Sequence, residues 1–285
     1  MHEGGPVCRS SRVDLSPALP VVLGCNGHPT TKVKHVDDRP EANLLLLHGH
    51  SDPVILVTLD ALYPGDIGRL LRVLLADILE DHQLFIAASH SHQCPATDSD
   101  KPSLGLPVSE HIEECVRQIA RAVRDLLENP SDCQSRVVIR DISLPDGLVI
   151  SRRRERPILR RLGIIRQGSV VRGPDPRRPI DAYCSIAHVL DNENQVQAVM
   201  WTLASHPVSY PNPLAISSDY PGAIRARLRK MHDQNLPVLF FQGFSGDLRP
   251  YTQRYKHRWG WNIKRYAAHV LLGAGFPRFT RAGWL

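Results

Sequence analysis

The sequence lacks long hydrophobic runs, because its apolar stretches are far shorter than the roughly 20 residues that a bilayer-spanning helix needs. Residues 1–5 lead into no apolar segment of the kind found in a secretory leader. The six cysteines are scattered and form no C-x-x-C pair, which argues against a zinc ribbon and a thioredoxin-like motif. We therefore expect the chain to have no transmembrane segment and no signal peptide, and to lie in the cytoplasm. We expect its cysteines to be free, buried thiols.

Aromatic residues make up only 6% of the chain, and none of them interleaves with its arginine cluster. Between residues 151 and 178, ten arginines stand against two acidic residues, an excess larger than the net charge of +6 of the whole chain. One basic segment, and not a basic face, therefore makes the protein cationic. Because single-stranded nucleic acid is held by aromatic stacking in a positive groove, we expect no nucleic-acid partner.

Hydrophobic periodicity indicates an α/β protein. With 285 residues, 42% of them hydrophobic, the chain can bury a substantial core. Short apolar runs predict strands at 44–47, 54–57, 84–87, 182–190, 196–203 and 238–241, and helical spacing predicts helices at 66–80, 109–128, 221–232 and 261–272. The Pro- and Arg-rich stretch 144–179 has no sustained periodicity, so we expect an irregular excursion there, with one short extended piece at 162–165. The fold class is predicted to be a mixed β-sheet core flanked by helices, in a single domain.

Two histidines at alternate positions, His90 and His92, follow the strand predicted at 84–87 in the sequence S-H-S-H. Alternate residues that leave a strand end can present both imidazoles to one cleft from a rigid base. Neutral imidazole is a good ligand for zinc, and a catalytic zinc usually keeps one position open for water. In a chain with 14 histidines, an H-x-H pair is weak evidence by itself. The chain continues with Q-C-P, so the H-x-H-x-D-H pattern of metallo-β-lactamases is excluded.

Polar side chains follow three further predicted strands. Asp60 comes after the second strand, His206 after the strand at 196–203, and Asp247 closes a glycine-containing segment after the strand at 238–241. Ligand crevices in open α/β sheets lie outside the carboxyl ends of the strands. Four strand ends that carry Asp, His, His and Asp favour a site there, although capping or turn formation would explain each residue taken alone.

Four blocks in chain order carry a family resemblance: T-L-D at 58–60, A-S-H-S-H-Q-C-P at 88–95, A-S-H-P at 204–207 and Q-G-F-S-G-D at 242–247. They resemble the N-terminal catalytic domain of the neutral/alkaline (non-lysosomal) ceramidase family and its bacterial relatives. The segments I-S-S-D-Y-P-G at 216–222 and S-R-R-R at 151–154 extend the resemblance, which runs from about residue 13 to residue 250. It implies that residues 1–285 form one ceramidase-like N-terminal domain, with the family's C-terminal region absent.

The resemblance implies a zinc-dependent hydrolase of an amide-type carbon–nitrogen bond, acting on a small-molecule or lipid-like N-acyl substrate. It implies that His90 and His206 are ligands of one zinc ion and that His92, beside them, moves a proton. It implies that Arg152 stabilises the oxyanion, a role that suits a guanidinium. Because further arginines follow Arg152, a solvated basic loop is the alternative for that residue. Members of this family are often secreted.

Two departures from the family pattern change these expectations. Arg249 stands in G-D-L-R-P-Y where the family has G-D-x-S-P-N. A guanidinium cannot act as a nucleophile, so we do not expect ceramide to be the substrate. The family's later Glu and Tyr ligands have no counterpart here, which leaves the zinc ligand set incomplete. The candidates to replace them are Asp60, Asp219, Tyr220 and Asp247.

The sequence thus supports two functional hypotheses. The favoured one is an active zinc hydrolase, which requires replacement ligands. The alternative is a truncated or diverged non-catalytic paralogue of the same fold, a pseudoenzyme, which requires none.

Overall fold

The structure is a computed structural model that describes residues 7–24, 32–49, 52–128, 134–160 and 163–251, with the backbone alone for 156–160 and 163–169. The strands are β1 (Val7–Asp14), β2 (Val21–Val22), β3 (Lys32–Val33), β4 (His35–Val36), β5 (Glu41–His48), β6 (Val54–Leu59), β7 (Leu84–Ala88), β8 (Arg136–Ser143), β9 (Val149–Arg160), β10 (Gly163–Asp175), β11 (Tyr183–Leu190), β12 (Val196–Leu203), β13 (Ala215–Ile216), β14 (Val238–Gln242) and β15 (Leu248–Pro250). The helices are α1 (Gly65–Leu74), α2 (Ser109–Glu128) and α3 (Asp219–Met231), with short 3₁₀ turns at Asp81–Gln83 and Pro102–Leu104. The helix predicted at 261–272 lies outside the described residues.

Two four-stranded sheets form the centre of the fold. The first has the order β1-β5-β6-β7, in which β6 and β7 are parallel and the other pairs antiparallel. The second has the order β14-β12-β11-β8, in which β12 and β14 are parallel. Each parallel pair places two carboxyl strand ends at one edge of its sheet. The mixed sheets and their helices confirm the predicted α/β fold class.

Alternation of side chains along the strands divides the core into layers. Leu44 of β5 packs with α1 and α2, whereas its neighbour Leu45 packs against the second sheet. In β12, Trp201 packs with α3 and Ala198 packs against the first sheet. The domain is therefore a four-layer α/β/β/α sandwich, with α1 and α2 on one outer side and α3 on the other.

Three of the four predicted helices lie in the described part of the chain, and α3 (Asp219–Met231) corresponds to the helix predicted at 221–232. The helix predicted at 109–128 is α2, with the same bounds. The helix predicted at 66–80 is shorter, because α1 ends at Leu74 and a hydrogen-bonded turn follows, in which the Leu79 N–H donates to the Leu75 carbonyl. Leu75 and Leu79 pack in the same core as α1, so the apolar spacing continues beyond the end of the helix.

The prediction of an irregular excursion at 144–179 was wrong. This stretch contains β9 and β10, which pair as a long antiparallel hairpin with two register shifts, and β15 pairs with the other side of β9. The extended part is much longer than the piece expected at 162–165. Backbone hydrogen bonds hold strands together, and long charged side chains can extend from a small sheet into water. Arginine-rich strands therefore show no apolar periodicity.

Two further expectations concern the cysteines and membrane-spanning helices. The four cysteines in the described part of the chain, Cys8, Cys94, Cys115 and Cys184, are free and buried, as predicted. Cys25 and Cys133 lie outside the described residues. Among the described helices, none combines the length and the apolar character that crossing a membrane requires.

A buried ionic cluster joins the first sheet to α3. Arg229 donates from Nη1 and Nη2 to the two carboxylate oxygens of Glu41, at 2.7 and 2.8 Å. Arg225 pairs with Asp60 at 2.8 Å. Burial raises the pKa of Glu41, but the hydrogen bonds and charges of the two arginines outweigh burial and hold that pKa below its usual value. The cluster fixes α3 against the strands that lead to the candidate site.

Candidate metal centre

Three histidines meet where the two sheets bring their carboxyl strand ends together. His90 and His92 follow β7 of the first sheet, and His206 follows β12 of the second. One ring nitrogen from each histidine lies within 4.8 Å of the others. The Nε2 atoms of His92 and His206 are 3.1 Å apart. The three side chains form a group that could hold a metal ion.

Backbone carbonyls fix the proton positions on two of these rings. Nδ1 of His90 lies 2.9 Å from the Leu62 carbonyl oxygen, and Nδ1 of His206 lies 3.3 Å from the Ser245 carbonyl oxygen. A carbonyl oxygen only accepts hydrogen bonds, so Nδ1 carries the proton and Nε2 keeps its lone pair. Metal-binding histidines usually make this second hydrogen bond. Both rings therefore have the tautomer that a metal site requires.

Burial and nearby positive charge keep the three rings neutral. Burial, with smaller effects from His90 and Arg152, lowers the pKa of His92 to about 4. Burial, with a smaller effect from the Arg152 charge, lowers the pKa of His206 to about 3. Burial also lowers the pKa of His90 and outweighs the opposing hydrogen bond to Leu62. Since neutral imidazole is the form that binds metals, the group is competent at neutral pH.

The backbone at His90 has an uncommon conformation, with φ of 62°. Left-handed residues other than glycine are unfavourable by about 1–3 kcal/mol and cluster at functional sites. The surrounding structure holds the chain on both sides of His90. The Ser89 N–H donates to the Leu59 carbonyl at 2.8 Å, and the Ser91 hydroxyl donates to the Ser217 carbonyl at 2.9 Å. The turn brings His90 and His92 to the same group.

Arg152 lies beside the histidines. Its Nε and Nη2 atoms donate to the Gly246 carbonyl at 3.2 and 2.9 Å, and its backbone N–H donates to the Asp247 carbonyl at 2.6 Å. Arg152 and the three histidines line one cleft of about 580 Å³. The side chain therefore faces a pocket and does not extend from a solvated loop.

Among the described residues, the three aspartates considered as replacement ligands are not members of the histidine group, and the fourth candidate, Tyr220, does not line the cleft. Each has another partner: Asp60 pairs with Arg225, Asp219 accepts from Ser209 and Tyr210, the Tyr220 hydroxyl donates to the Ser205 carbonyl, and Asp247 accepts from the Ser151 hydroxyl. The group thus offers three imidazoles and no carboxylate. Three protein ligands are the usual number at a catalytic zinc, which leaves the fourth position for water or substrate.

Comparison with known proteins identifies the fold. No protein-family model and no curated protein matches the chain. A solved structure described as a ceramidase complexed with C2 matches with a TM-score of 0.70 at 14% identity, over 94% of this chain and 42% of that chain. The neutral ceramidase from Pseudomonas aeruginosa matches with a TM-score of 0.70 at 15% identity, over 95% of this chain and 44% of that chain. The chain has a ceramidase-like fold.

This chain spans less than half the length of either ceramidase structure. At 14–15% identity, the likeness shows the fold and leaves the reaction to be argued from the site. Strands of both sheets end at this cleft. Of the four residues predicted at strand ends, His90 and His206 line it, whereas Asp60 and Asp247 do not.

Sequence reasoning missed part of the pocket wall. Arg172 lines the cleft from β10, which lies in the stretch expected to be irregular. Tyr63 also lines the cleft and packs edge-on against the His90 ring, with 5.4 Å between ring centroids. Tyr63 lies three residues after Asp60, which follows a predicted strand. This closeness to a strand end was the one signal in the sequence that pointed to Tyr63. For Arg172 the sequence offered no such signal.

Proposed function

We propose that the chain is a zinc-dependent hydrolase that cleaves an amide-type bond, and that His90, His206 and His92 hold the metal. The observation that supports this proposal is the group of three neutral imidazoles at the carboxyl strand ends of a ceramidase-like fold. The family resemblance implied proton transfer for His92. Its position 3.1 Å from His206 instead favours a role as third ligand.

The donor set fits zinc. Two imidazole nitrogens that each lie about 2.0–2.1 Å from a tetrahedral zinc ion are roughly 3.3 Å apart. The observed 3.1 Å between the Nε2 atoms of His92 and His206 is close to this value. When bound, zinc would polarise a substrate carbonyl and lower the pKa of a water molecule.

Arg152 would stabilise the charge that develops on the substrate. A guanidinium has five N–H donors, and the Gly246 carbonyl accepts from two of its nitrogens, Nε and Nη2. The remaining N–H groups can donate to the amide oxygen as it gains negative charge. The fixed geometry of Arg152 means that little reorganisation is needed when that charge appears.

Part of the cleft lining is apolar. Leu62, Leu104 and Val208 contribute to it, beside the ring of Tyr63. An acyl chain packed against these side chains would exclude water from the scissile bond. This lining supports an N-acyl compound as the substrate class.

A non-catalytic binding protein of the same fold is the second candidate. One observation favours it: no acidic side chain lines the cleft among the described residues, so no carboxylate is placed to act as a general base. Such a protein would bind an N-acyl compound and release it unchanged.

Metal content and hydrolysis, measured on the same preparations, test the proposal. We expect about one zinc per chain by elemental analysis, lost in His90→Ala and in His206→Ala. His82→Ala is the matched control, because the His82 side chain is 68% exposed. Hydrolysis of a panel of N-acyl compounds should require zinc and disappear in the same two variants. Zinc binding without hydrolysis would favour the binding protein, and the absence of zinc after reconstitution would overturn the proposal.

A further inference from the structure

Three arginines line the cleft beside the histidine group. Arg152 comes from β9, Arg172 from β10 and Arg249 from β15. These three strands form one sheet with the order β10-β9-β15, so neighbouring strands bring the three arginines to the cleft. The described residues that line the cleft include no aspartate and no glutamate.

The charges of these arginines are not neutralised by salt bridges. Over residues 7–251, with the gaps stated above, none of the three forms a salt bridge with an acidic side chain. Asp247 is the acidic residue whose charge acts on Arg152. Its carboxylate accepts a hydrogen bond from Ser151, at 3.3 Å, and does not line the cleft.

Arg249 carries a buried donor without a partner. Its Nε atom is buried and makes no hydrogen bond to a described residue. A buried N–H without an acceptor is unfavourable, and a nearby guanidinium of the same charge adds to the cost. Burial and the charges of Arg153, Arg172 and Arg249 lower the pKa of Arg152, which shows the same repulsion. An anion in the cleft would offset the repulsion between these guanidinium groups.

We propose that the cleft binds an anionic oxygen group, a carboxylate or a phosphate, between Arg249, Arg172 and Arg152. Planar guanidinium groups bind both oxyanions through paired hydrogen bonds. The anion site rests on the arginines alone. Its place in a reaction rests on the proposed function: the substrate is then an acylated amine with a negative charge, such as an N-acyl amino acid, and not a neutral lipid amide.

The reaction for such a substrate is balanced by water alone. The oxygen of water forms a bond to the acyl carbon as the carbon–nitrogen bond breaks. The departing nitrogen takes a proton from that water, so the products are a fatty acid and an amine that retains the anionic group. The arginines would hold the anionic group, and the apolar wall of Leu62, Leu104 and Val208 would hold the acyl chain.

Binding measured without the metal separates this proposal from the proposed function. Isothermal titration calorimetry would compare N-octanoylglycine with its neutral amide, N-octanoylglycinamide, on protein as purified and after dialysis against a chelator. We expect the carboxylate to bind at least 10-fold more tightly in both preparations. Octyl phosphate and inorganic phosphate, as further probes, would show which oxyanion the arginines prefer and whether the acyl chain is needed.

Matched variants assign the effect to the cleft. Arg249→Gln should reduce the preference for N-octanoylglycine at least 10-fold, and Arg172→Gln should reduce it too. Arg172 is exposed, so its replacement does not endanger folding. Arg178→Gln is the matched control, because it removes one positive charge from an exposed residue of the arginine-rich segment 151–178 that does not line the cleft. It should leave the preference for N-octanoylglycine unchanged. Equal binding of the carboxylate and the amide, or an equal loss in Arg178→Gln, would overturn the anion site. Anion binding without hydrolysis would support the anion site and contradict the proposed hydrolase function.

Discussion

The Nε2 atoms of His92 and His206 lie 3.1 Å apart, although the two residues follow strands of different sheets. Nε2 of His206 carries no proton, because its Nδ1–H donates to the Ser245 carbonyl. Without a metal, His92 can donate its Nε2–H to His206. To act as a ligand, His92 needs the other tautomer, with the proton on Nδ1. Metal binding is thus coupled to the position of one proton.

The His92→Ala variant distinguishes a ligand from a proton shuttle. Loss of a residue that only supports a zinc ligand weakens zinc binding by about 10–100-fold, and loss of a ligand costs more. We therefore expect zinc affinity in this variant to fall by more than about 100-fold, measured by competition with a chromophoric chelator. His82→Ala should bind zinc as the wild type does. Unchanged zinc affinity with a slower reaction would instead assign proton transfer to His92.

The elements that are buried along a whole face could be predicted from the sequence. Strand β12 covers residues 196–203 and helix α2 covers residues 109–128, as their apolar spacing predicted. The strands β1 and β8 were not predicted. Each lies at an edge of its sheet and has a partly exposed, polar composition, so its apolar alternation is weak.

The site could be predicted only in part, because it depends on contacts between distant parts of the chain. That His90 and His206 both follow strands was visible in the sequence. Which strand ends face each other depends on how the two sheets pack, and that packing involves residues far apart in the chain, such as Leu45 and Leu239. Arg172 enters the cleft through the β9–β10 hairpin, whose backbone pairing leaves no apolar pattern.

The geometry of Arg152 predicts that lysine cannot replace it. A lysine has one ammonium group, so it cannot reproduce two donors directed at the Gly246 carbonyl while a third faces the cleft. In Arg152→Lys we expect kcat on an N-acyl substrate to fall by about 100-fold or more, the typical effect of losing an oxyanion donor. Zinc content should stay unchanged. The steady-state rates of Arg152→Lys and the matched Arg154→Lys, whose side chain is exposed, provide the comparison.

The buried pair of Glu41 and Arg229 predicts a large stability change. Removal of one partner from a buried ion pair leaves an uncompensated charge and costs about 3–5 kcal/mol. We therefore expect Glu41→Gln to lower the free energy of unfolding in urea by that amount. Glu114→Gln, which removes an exposed carboxylate paired with Arg117, should have a much smaller effect. Similar losses of unfolding free energy in both variants would show that burial does not make the Glu41–Arg229 pair contribute more to stability than an exposed ion pair.

Asp38 predicts how stability depends on pH. Burial raises the pKa of its carboxyl to about 6, with a further increase from Asp60 and an opposing effect of Arg225. The unfolded chain titrates near the usual value of about 3.9. Between these two values the folded state binds more protons than the unfolded state, so this group makes the protein more stable as pH falls from about 6 to about 4. Above pH 6 the carboxyl is ionised in both the folded and the unfolded state, so the burial of its charge lowers the stability by an amount that no longer changes with pH.

Asp38→Asn should therefore stabilise the protein at pH 7. Asparagine carries no charge and keeps an oxygen that can accept the hydrogen bond from the Ser218 N–H. Urea unfolding at pH 7 should give a gain of about 1–3 kcal/mol over wild type, which declines towards zero near pH 4. Asp146→Asn, at an exposed turn, controls for the loss of one negative charge. If Asp38→Asn destabilised the protein at pH 7, the ionised carboxylate would be a favourable partner of Arg225, and its raised pKa would be wrong.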